Sequence, residues 1–255
     1  MKGHGPGPRR LGNWPPRSLL GSLEPATRDL MLRLGTATQF GAGETLLREG
    51  DPDSRHVLLL IDACVKVVSD TADGHTVLLA IRTDGDLVGE LASLDGQPRV
   101  ASVIAVKPSV VRRIGQGEFL DFLDHNPAVS RAVYRVVTTK LRNSTWHRIE
   151  YGSTPAPLRL ARVLVQLAAQ HGERVPEGIE IRLALTQPDL AALAGAREPT
   201  VHKELRALRH RGVVETGYRR ILISDPAALH AIAGISEIPP EYGVWPAPRP
   251  QGEGE

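Results

Sequence analysis

The chain has 255 residues, 41% of them hydrophobic and 24% charged, with a formal net charge of +2. That length holds two domains with separate cores, and the balance is that of an ordinary globular protein. A single cysteine excludes an intrachain disulfide and a cysteine-only metal cluster, and no apolar run reaches the roughly 18 residues that a membrane span needs.

The N-terminus carries charge with no apolar stretch behind it, so no secretory signal is expected and the chain reads as cytoplasmic. Residues 1–18 are rich in Gly, Pro and Arg and are expected to be loose, in an arm taken to end at residue 20. A short helix is expected over 24–34. From 40 to 114, β-branched runs alternate with Gly and Asp turns, and strands are expected at 44–48, 56–62, 65–69, 77–82, 86–88, 101–106 and 110–114. Strands recurring roughly every 8–12 residues predict a compact all-β sandwich or barrel. Cys64 lies in an apolar run and reads as a buried thiol. Residues 89–94, Gly-Glu-Leu-Ala-Ser-Leu, are too poor in β-branched side chains for a strand and read as one helical turn set into the sheet.

A short helix at 117–125 precedes a long one from Pro127 to about Tyr151. In the long helix Val129, Val133, Val136, Val137, Leu141 and Ile149 recur at spacings of three and four, a seam of the kind a two-helix coiled coil buries. Ser144 and Thr145 fall on that seam where apolar residues are expected. They are a register device, a solvated helix end or a ligand contact. Residues 151–157 form a hinge by composition, 158–170 an amphipathic helix, and 180–185 a strand.

Residues 186–213 read as two short helices joined by a tight turn. Thr186 caps the first, and Asp189 three residues on completes a capping-box pattern. Leu190, Leu193 and Ala194 give it an apolar face, and Gly195 stops it. Pro199 suits the first turn of the second helix, where its missing N–H costs nothing. There Val201, Leu205 and Leu208 face inward, and His202, Lys203, Arg206 and Arg209 face outward. This is helix-turn-helix grammar. A wing follows: a strand starting at Gly212-Val213-Val214, a turn at Gly217-Tyr218, and a return over 219–223. From Arg197 to Arg220, seven Lys/Arg (197, 203, 206, 209, 211, 219, 220) face three Glu (198, 204, 215), a local charge of +4 in a chain of +2. Such concentration is what binding to phosphates requires. A last short helix is expected at 226–233, and the Pro/Gly/Glu-rich residues 237–255 are expected to be disordered.

This order of elements, with GDLVGELASLDGQPRVASV at 85–103 and the LTQPDLAALAG and TVHKELRALRHRGVV segments, resembles the CRP/FNR family of bacterial transcription regulators, the cyclic-AMP receptor protein group. The resemblance covers about residues 20–233. It implies an α+β fold: a cyclic-nucleotide-binding-type β-roll at 21–126, a long dimerisation helix at 127–152 and a winged helix-turn-helix domain at 153–234, between a disordered arm at 1–20 and a disordered tail at 235–255. It also implies a homodimer that binds double-stranded DNA, with RNA polymerase as a candidate further partner, no membrane and no enzymatic activity.

By the resemblance, Gly89, Glu90, Leu91, Arg99, Val100, Ser144 and Thr145 occupy the effector site. Backbone N–H groups at the start of the 89–94 turn can face an anionic phosphate. Glu90 can accept from a ribose hydroxyl, and Arg99 can pair with a cyclic phosphate. Ser144 and Thr145 match positions that reach the base from both protomers. No cofactor is required, and the implied effector is cyclic AMP or another cyclic nucleotide. Val100 departs from the pattern, because cyclic-AMP-binding members carry a serine or threonine there that also bonds the phosphate. The loss is worth about tenfold to a hundredfold in affinity. The alternative is a constitutive DNA-binding regulator whose roll binds no nucleotide, with Glu90 and Arg99 as a structural ion pair.

On the DNA side the implied residues are Arg197, Glu198, Thr200, His202, Lys203, Arg206, Arg219 and Arg220. Members reading the well-known operator carry Arg-Glu immediately before Thr-Val, whereas Glu198-Pro199 stand here. The helical frame is kept and the base-reading set is altered. Arginine or lysine on guanine and glutamate on cytosine remain the expected chemistry. Thr200, Arg219 and Arg220 are expected on phosphates, which position the domain without reading sequence. A lone cysteine and scattered histidines (His56, His75, His147) imply neither an iron–sulfur cluster nor another metal site. Catalytic signatures such as Gly-x-Ser-x-Gly, His-Glu-x-x-His and the P-loop are absent from the sequence.

Overall fold

The computed structural model describes residues 14–15, 18–70, 76–183 and 185–235, and the backbone alone over 146–153. The chain divides into two compact units: residues up to Lys66 with Ile81–Val136, and Val67–Ala80 with Val137 onward.

The first unit opens with a short 3-10 turn, Leu20–Ser22, and a helix α1, Pro25–Met31. Eight strands follow: β1 Thr36–Phe40, β2 Thr45–Leu47, β3 Val57–Asp62, β4 Cys64–Asp70, β5 Thr76–Thr83, β6 Leu87–Val88, β7 Ser102–Ala105 and β8 Ser109–Ile114. They form two sheets, ordered β1-β8-β3-β6 and β2-β7-β4-β5. The division between units runs through β4 and β5. In β3, Val57, Leu58, Leu59 and Leu60 are all buried, so this strand is covered on both faces and shows a continuous apolar run instead of alternation. It pairs with β8 from Val57↔Ile114 to Asp62↔Val110, with an irregularity between Leu60 and Asp62. A short helix α2, Glu90–Asp95, is set into the roll after β6, and α3, Gln116–His125, follows β8.

One expectation needs correction in this unit, and one strand was not foreseen. Leu19 and Leu20, placed within the disordered arm at 1–20, are fully buried, and the Leu20 amide donates to the Gly85 carbonyl at 3.0 Å. Apolar burial outweighs the Gly/Pro bias of the preceding residues. Strand β1 was not expected, because Thr-Ala-Thr-Gln-Phe has no apolar alternation. It forms an edge strand on β8, from Thr36↔Arg113 to Phe40↔Ser109, and leaves Thr36 and Ala37 exposed.

The long helix α4 runs from Pro127 to Ser153. Beyond it lie α5 Ala156–His171, β9 Gly172–Val175, β10 Gly178–Ile181, α6 Gln187–Ala194, α7 Glu198–His210, β11 Val214–Gly217, β12 Arg220–Ile223 and α8 Pro226–Ala233. Helix α5 packs against α6, α7 and α8. Leu160, Leu164, Val165, Val201, Leu205, Ile179, Ile223 and Leu229 build this core, each at most 2% exposed. The wing is part of a four-stranded sheet, β11-β12-β10-β9, and not an isolated hairpin. The strand expected at 180–185 is Gly178–Ile181, because its pairing with both neighbours ends at Ile181. Polar β9 was also unexpected. It follows α5 directly through Gly172, where a Cβ would stand 2.3 Å from the Ala168 carbonyl oxygen, so only glycine lets the chain turn there. The tail from residue 236 lies outside the described residues, as do the arm's first 13.

Candidate anion site and nucleic-acid interface

Strand β6 ends at Val88, and Gly89 follows with φ 83° in the αL region, which costs a glycine little. A Cβ at Gly89 would lie 2.6 Å from Arg99 Nη1 and 2.8 Å from Leu47 Cδ1. The absent side chain is what admits the arginine. Arg99 is 4% exposed and Glu90 3% exposed, two charged groups buried where charge is costly without partners. Arg99 Nη1 donates to the Gly89 carbonyl at 2.6 Å, Nη2 to the His56 carbonyl at 2.5 Å, and Nε and Nη2 to Ser54 Oγ at 3.3 and 3.0 Å. Burial lowers the pKa of this guanidinium, while the Asp51 and Glu90 carboxylates act the other way and Arg113 adds to the lowering. It remains a cation. Gly89, Glu90 and Arg99 are thus brought together. Leu91 and Val100 flank them as exposed side chains, Val100 at 63%. Ser144 and Thr145 lie on α4 in the second unit, both exposed, with Thr145 Oγ1 donating back to the Leu141 carbonyl at 3.0 Å.

Sequence reasoning missed Ser54 and His56. They stand some forty residues from Arg99, and no local pattern links them. Both line an open groove of about 430 Å³ with Leu47, Arg48, Asp51 and Arg113. The His56 ring is held at a pKa of about 4, mainly by burial and also by the neighbouring cations Arg113 and Arg99. Between about pH 6.5 and pH 4 the unfolded chain binds a proton at His56 that the folded chain refuses. This contribution to stability is therefore present above pH 6.5 and lost as the pH falls toward 4. For a half-buried, solvent-screened ring it amounts to about 1–2 kcal/mol. Urea denaturation at pH 7 and pH 5 is expected to show a smaller loss for His56→Gln than for the wild type. Equal losses would refute the assignment.

In the second unit the capping box forms as expected. Thr186 Oγ1 accepts from the Asp189 amide at 3.3 Å, and the Thr186 amide donates to Asp189 Oδ2 at 2.8 Å. Gly195, at φ 55°, ends α6. Arg159 of α5 then clamps that end, its Nε donating to the Ala194 carbonyl at 2.7 Å and its Nη2 to that of Gly195 at 2.6 Å. A cation on carbonyls at a helix C-terminus is favourable, and here it sets the turn between the two helices. Helix α7 buries Val201, Leu205 and Leu208 and exposes Arg197, Glu198, His202, Lys203 and Arg206, with Thr200 half-buried. His202, Arg206, Arg209 and His210 line an open recess of about 460 Å³. Arg209 Nη1 donates to Thr216 Oγ1 at 2.8 Å and ties α7 to the wing.

The two wing arginines differ. Arg219 sits at the hairpin tip with φ 55°, its guanidinium 5.3 Å from the centre of the exposed Tyr218 ring. Arg220 turns back to buried Glu180, Nε to Oε1 at 2.7 Å, and Glu180 also accepts from Arg182 Nε at 2.5 Å. Arg220 is a strut at the base of the wing, and Arg219 is its outward cation.

Residues 37–126 match the cyclic nucleotide-binding domain family, and residues 158–232 the Crp-like helix-turn-helix domain family. A CRP-like cAMP-activated global transcriptional regulator of Mycobacterium tuberculosis is 28% identical over 207 residues, covering 81% of this chain and 92% of its own. The cyclic AMP receptor protein of Thermus thermophilus is 26% identical over 215 residues, covering 84% and 96%. Among solved structures, a CRP-family transcriptional regulator from Thermus thermophilus superposes with a TM-score of 0.63 at 27% identity, covering 77% of this chain and 96% of its own.

Proposed function

Because this chain belongs to the CRP/FNR family of DNA-binding transcription regulators, we propose that it acts as a homodimer gated by a cyclic nucleotide held in its β-roll. The observation that carries this reading is the buried Arg99 guanidinium on the Gly89 carbonyl, with the buried Glu90 carboxylate near enough to act on its charge. A relative 28% identical over 207 residues is described as cAMP-activated. Arg99 would hold the cyclic phosphate and Glu90 a ribose hydroxyl, with Gly89 and Leu91 against the sugar-phosphate and Ser144 and Thr145 reaching the base from both protomers. The dimer reading draws support from α4, where Tyr134 is 75% and Leu141 66% exposed, with Val137 between them on one face. Exposed apolar residues at that spacing suit a partner helix. Gating is a population shift: a ligand that prefers one arrangement of the dimer sets two α7 helices at successive major-groove half-sites, about 34–36 Å apart. Lys203, Arg206, Arg197, Glu198 and His202 would face base edges, and Thr200 and Arg219 phosphates, while Arg220, expected on a phosphate from the sequence, is held by Glu180 instead. A cytoplasmic location and contact with RNA polymerase belong to the same reading. Among the described residues no helix is long and apolar enough to cross a membrane.

A second reading has its own support. Val100 is apolar and exposed, and Arg99 is already hydrogen-bonded by its own chain. A roll that binds no nucleotide would have these features. Calorimetric titration with cyclic AMP and cyclic GMP, followed by DNA titration with and without the nucleotide, separates the two. Saturable binding that raises DNA affinity is expected, and equal DNA affinity in both states would establish the constitutive regulator.

A further inference from the structure

We propose that Ser54 is a built-in competitor for the anion that Arg99 would bind, so that the chain sets a high threshold for its own effector. The proposal rests on the effector reading above. A guanidinium clasps a phosphate best through two parallel N–H groups on one edge. In Arg99 the Nε–Nη2 edge is occupied by a single oxygen, Ser54 Oγ, at 3.3 and 3.0 Å. The group cannot simply present another edge. Its Nη1 is held by the Gly89 carbonyl at 2.6 Å and its Nη2 also by the His56 carbonyl at 2.5 Å, so two distant stretches of chain fix its plane.

Ser54 is itself held in place. Asp51 Oδ1 accepts from the Asp53 amide at 3.0 Å and from the Ser54 amide at 3.1 Å, a local turn that aims the hydroxyl inward. The hydroxyl is not left without a partner when the edge is taken, because it already faces His56 Nδ1 at 3.4 Å on the side of the open groove, a nitrogen that Arg113 Nη2 also meets at 3.4 Å. An incoming phosphate therefore exchanges a neutral oxygen for a charged one on the same edge. The exchange costs the apo state the two charge-assisted hydrogen bonds that Ser54 Oγ accepts from Nε and Nη2. With Val100 contributing no hydroxyl of its own, nothing at that position offsets the cost.

Removing the competitor raises the energy of the unliganded state alone, so Ser54→Ala is expected to bind cyclic AMP or cyclic GMP about tenfold more tightly than the wild type. Ser54→Thr, which keeps the hydroxyl, is expected to bind like the wild type. A second readout needs no nucleotide. In ¹H–¹⁵N spectra, the Nε–H resonance that Arg99→Lys removes is expected to be exchange-protected in the wild type and in Ser54→Thr and unprotected in Ser54→Ala. Calorimetry showing equal or weaker nucleotide binding by Ser54→Ala overturns the proposal, as does unchanged protection of the Nε–H. If neither protein binds a nucleotide, the effector reading fails by itself. The competitor is then tested with pyrophosphate, which must shift the Arg99 Nε–H in Ser54→Ala and not in the wild type. A shift in both or in neither overturns it.

Discussion

Reversing two charges on the recognition helix, Lys203→Glu with Arg206→Glu, is expected to abolish DNA binding at physiological salt while leaving the fold intact. Both side chains are exposed on α7, away from the face that buries Val201, Leu205 and Leu208. A cation held in the major groove displaces counterions from the surrounding phosphates even where it contacts a base edge, so losing two of them costs up to about a hundredfold per helix near 0.1 M salt, and two new carboxylates add repulsion. In a dimer the loss applies twice. The slope of log affinity against log salt is expected to flatten by about two per recognition helix. Exposed substitutions of this kind typically move stability by less than about 0.5 kcal/mol, so the melting curve is expected to stay put. Fluorescence anisotropy on genomic fragments over a salt series would measure both effects. An unchanged slope would show that α7 does not face DNA.

The other large effect lies in the roll. Arg99→Met keeps the length of the side chain and removes its donors. It leaves the Gly89 and His56 carbonyls without the guanidinium, and it leaves Asp51 and Glu90 without the cation that faces them. Breaking a buried charge arrangement by deleting one member costs about 3–5 kcal/mol, far more than the arrangement contributes over an apolar replacement. Urea denaturation is expected to show that loss, and calorimetry no binding of a cyclic nucleotide. Stability within about 1 kcal/mol of the wild type would mean that the arginine is not the structural centre that its hydrogen bonds describe.

The helix-turn-helix was the most legible part of the chain. Its signals are local: Thr186 and Asp189 lie within one turn, Gly195 needs a positive φ, and Val201, Leu205 and Leu208 obey a single helical period. The roll's strands were legible for the same reason wherever β-branched runs met Gly or Asp turns. Edge strands β1 and β9 were not. An edge strand is held by backbone pairing with a neighbour, and its side chains need carry no apolar alternation. Leu19 and Leu20 show the same limit, since they follow a Gly/Pro-rich stretch and were placed in its arm, and contact with the turn at Gly85 buried them.

The sequence by itself determined which residue types stand where charge would be needed: Gly89, Glu90 and Arg99 in one short stretch, and the basic face of α7 in another. It also determined the order of elements, because helical and strand periods are written in neighbouring residues. Only the tertiary structure decided what those charges touch. Arg99 meets Ser54 and His56 because β3 and the turn before it pass across the roll, and Arg220 turns to Glu180 because β12 pairs with β10. A hydrogen bond depends on distance in space, and residues forty positions apart carry no local mark of being adjacent.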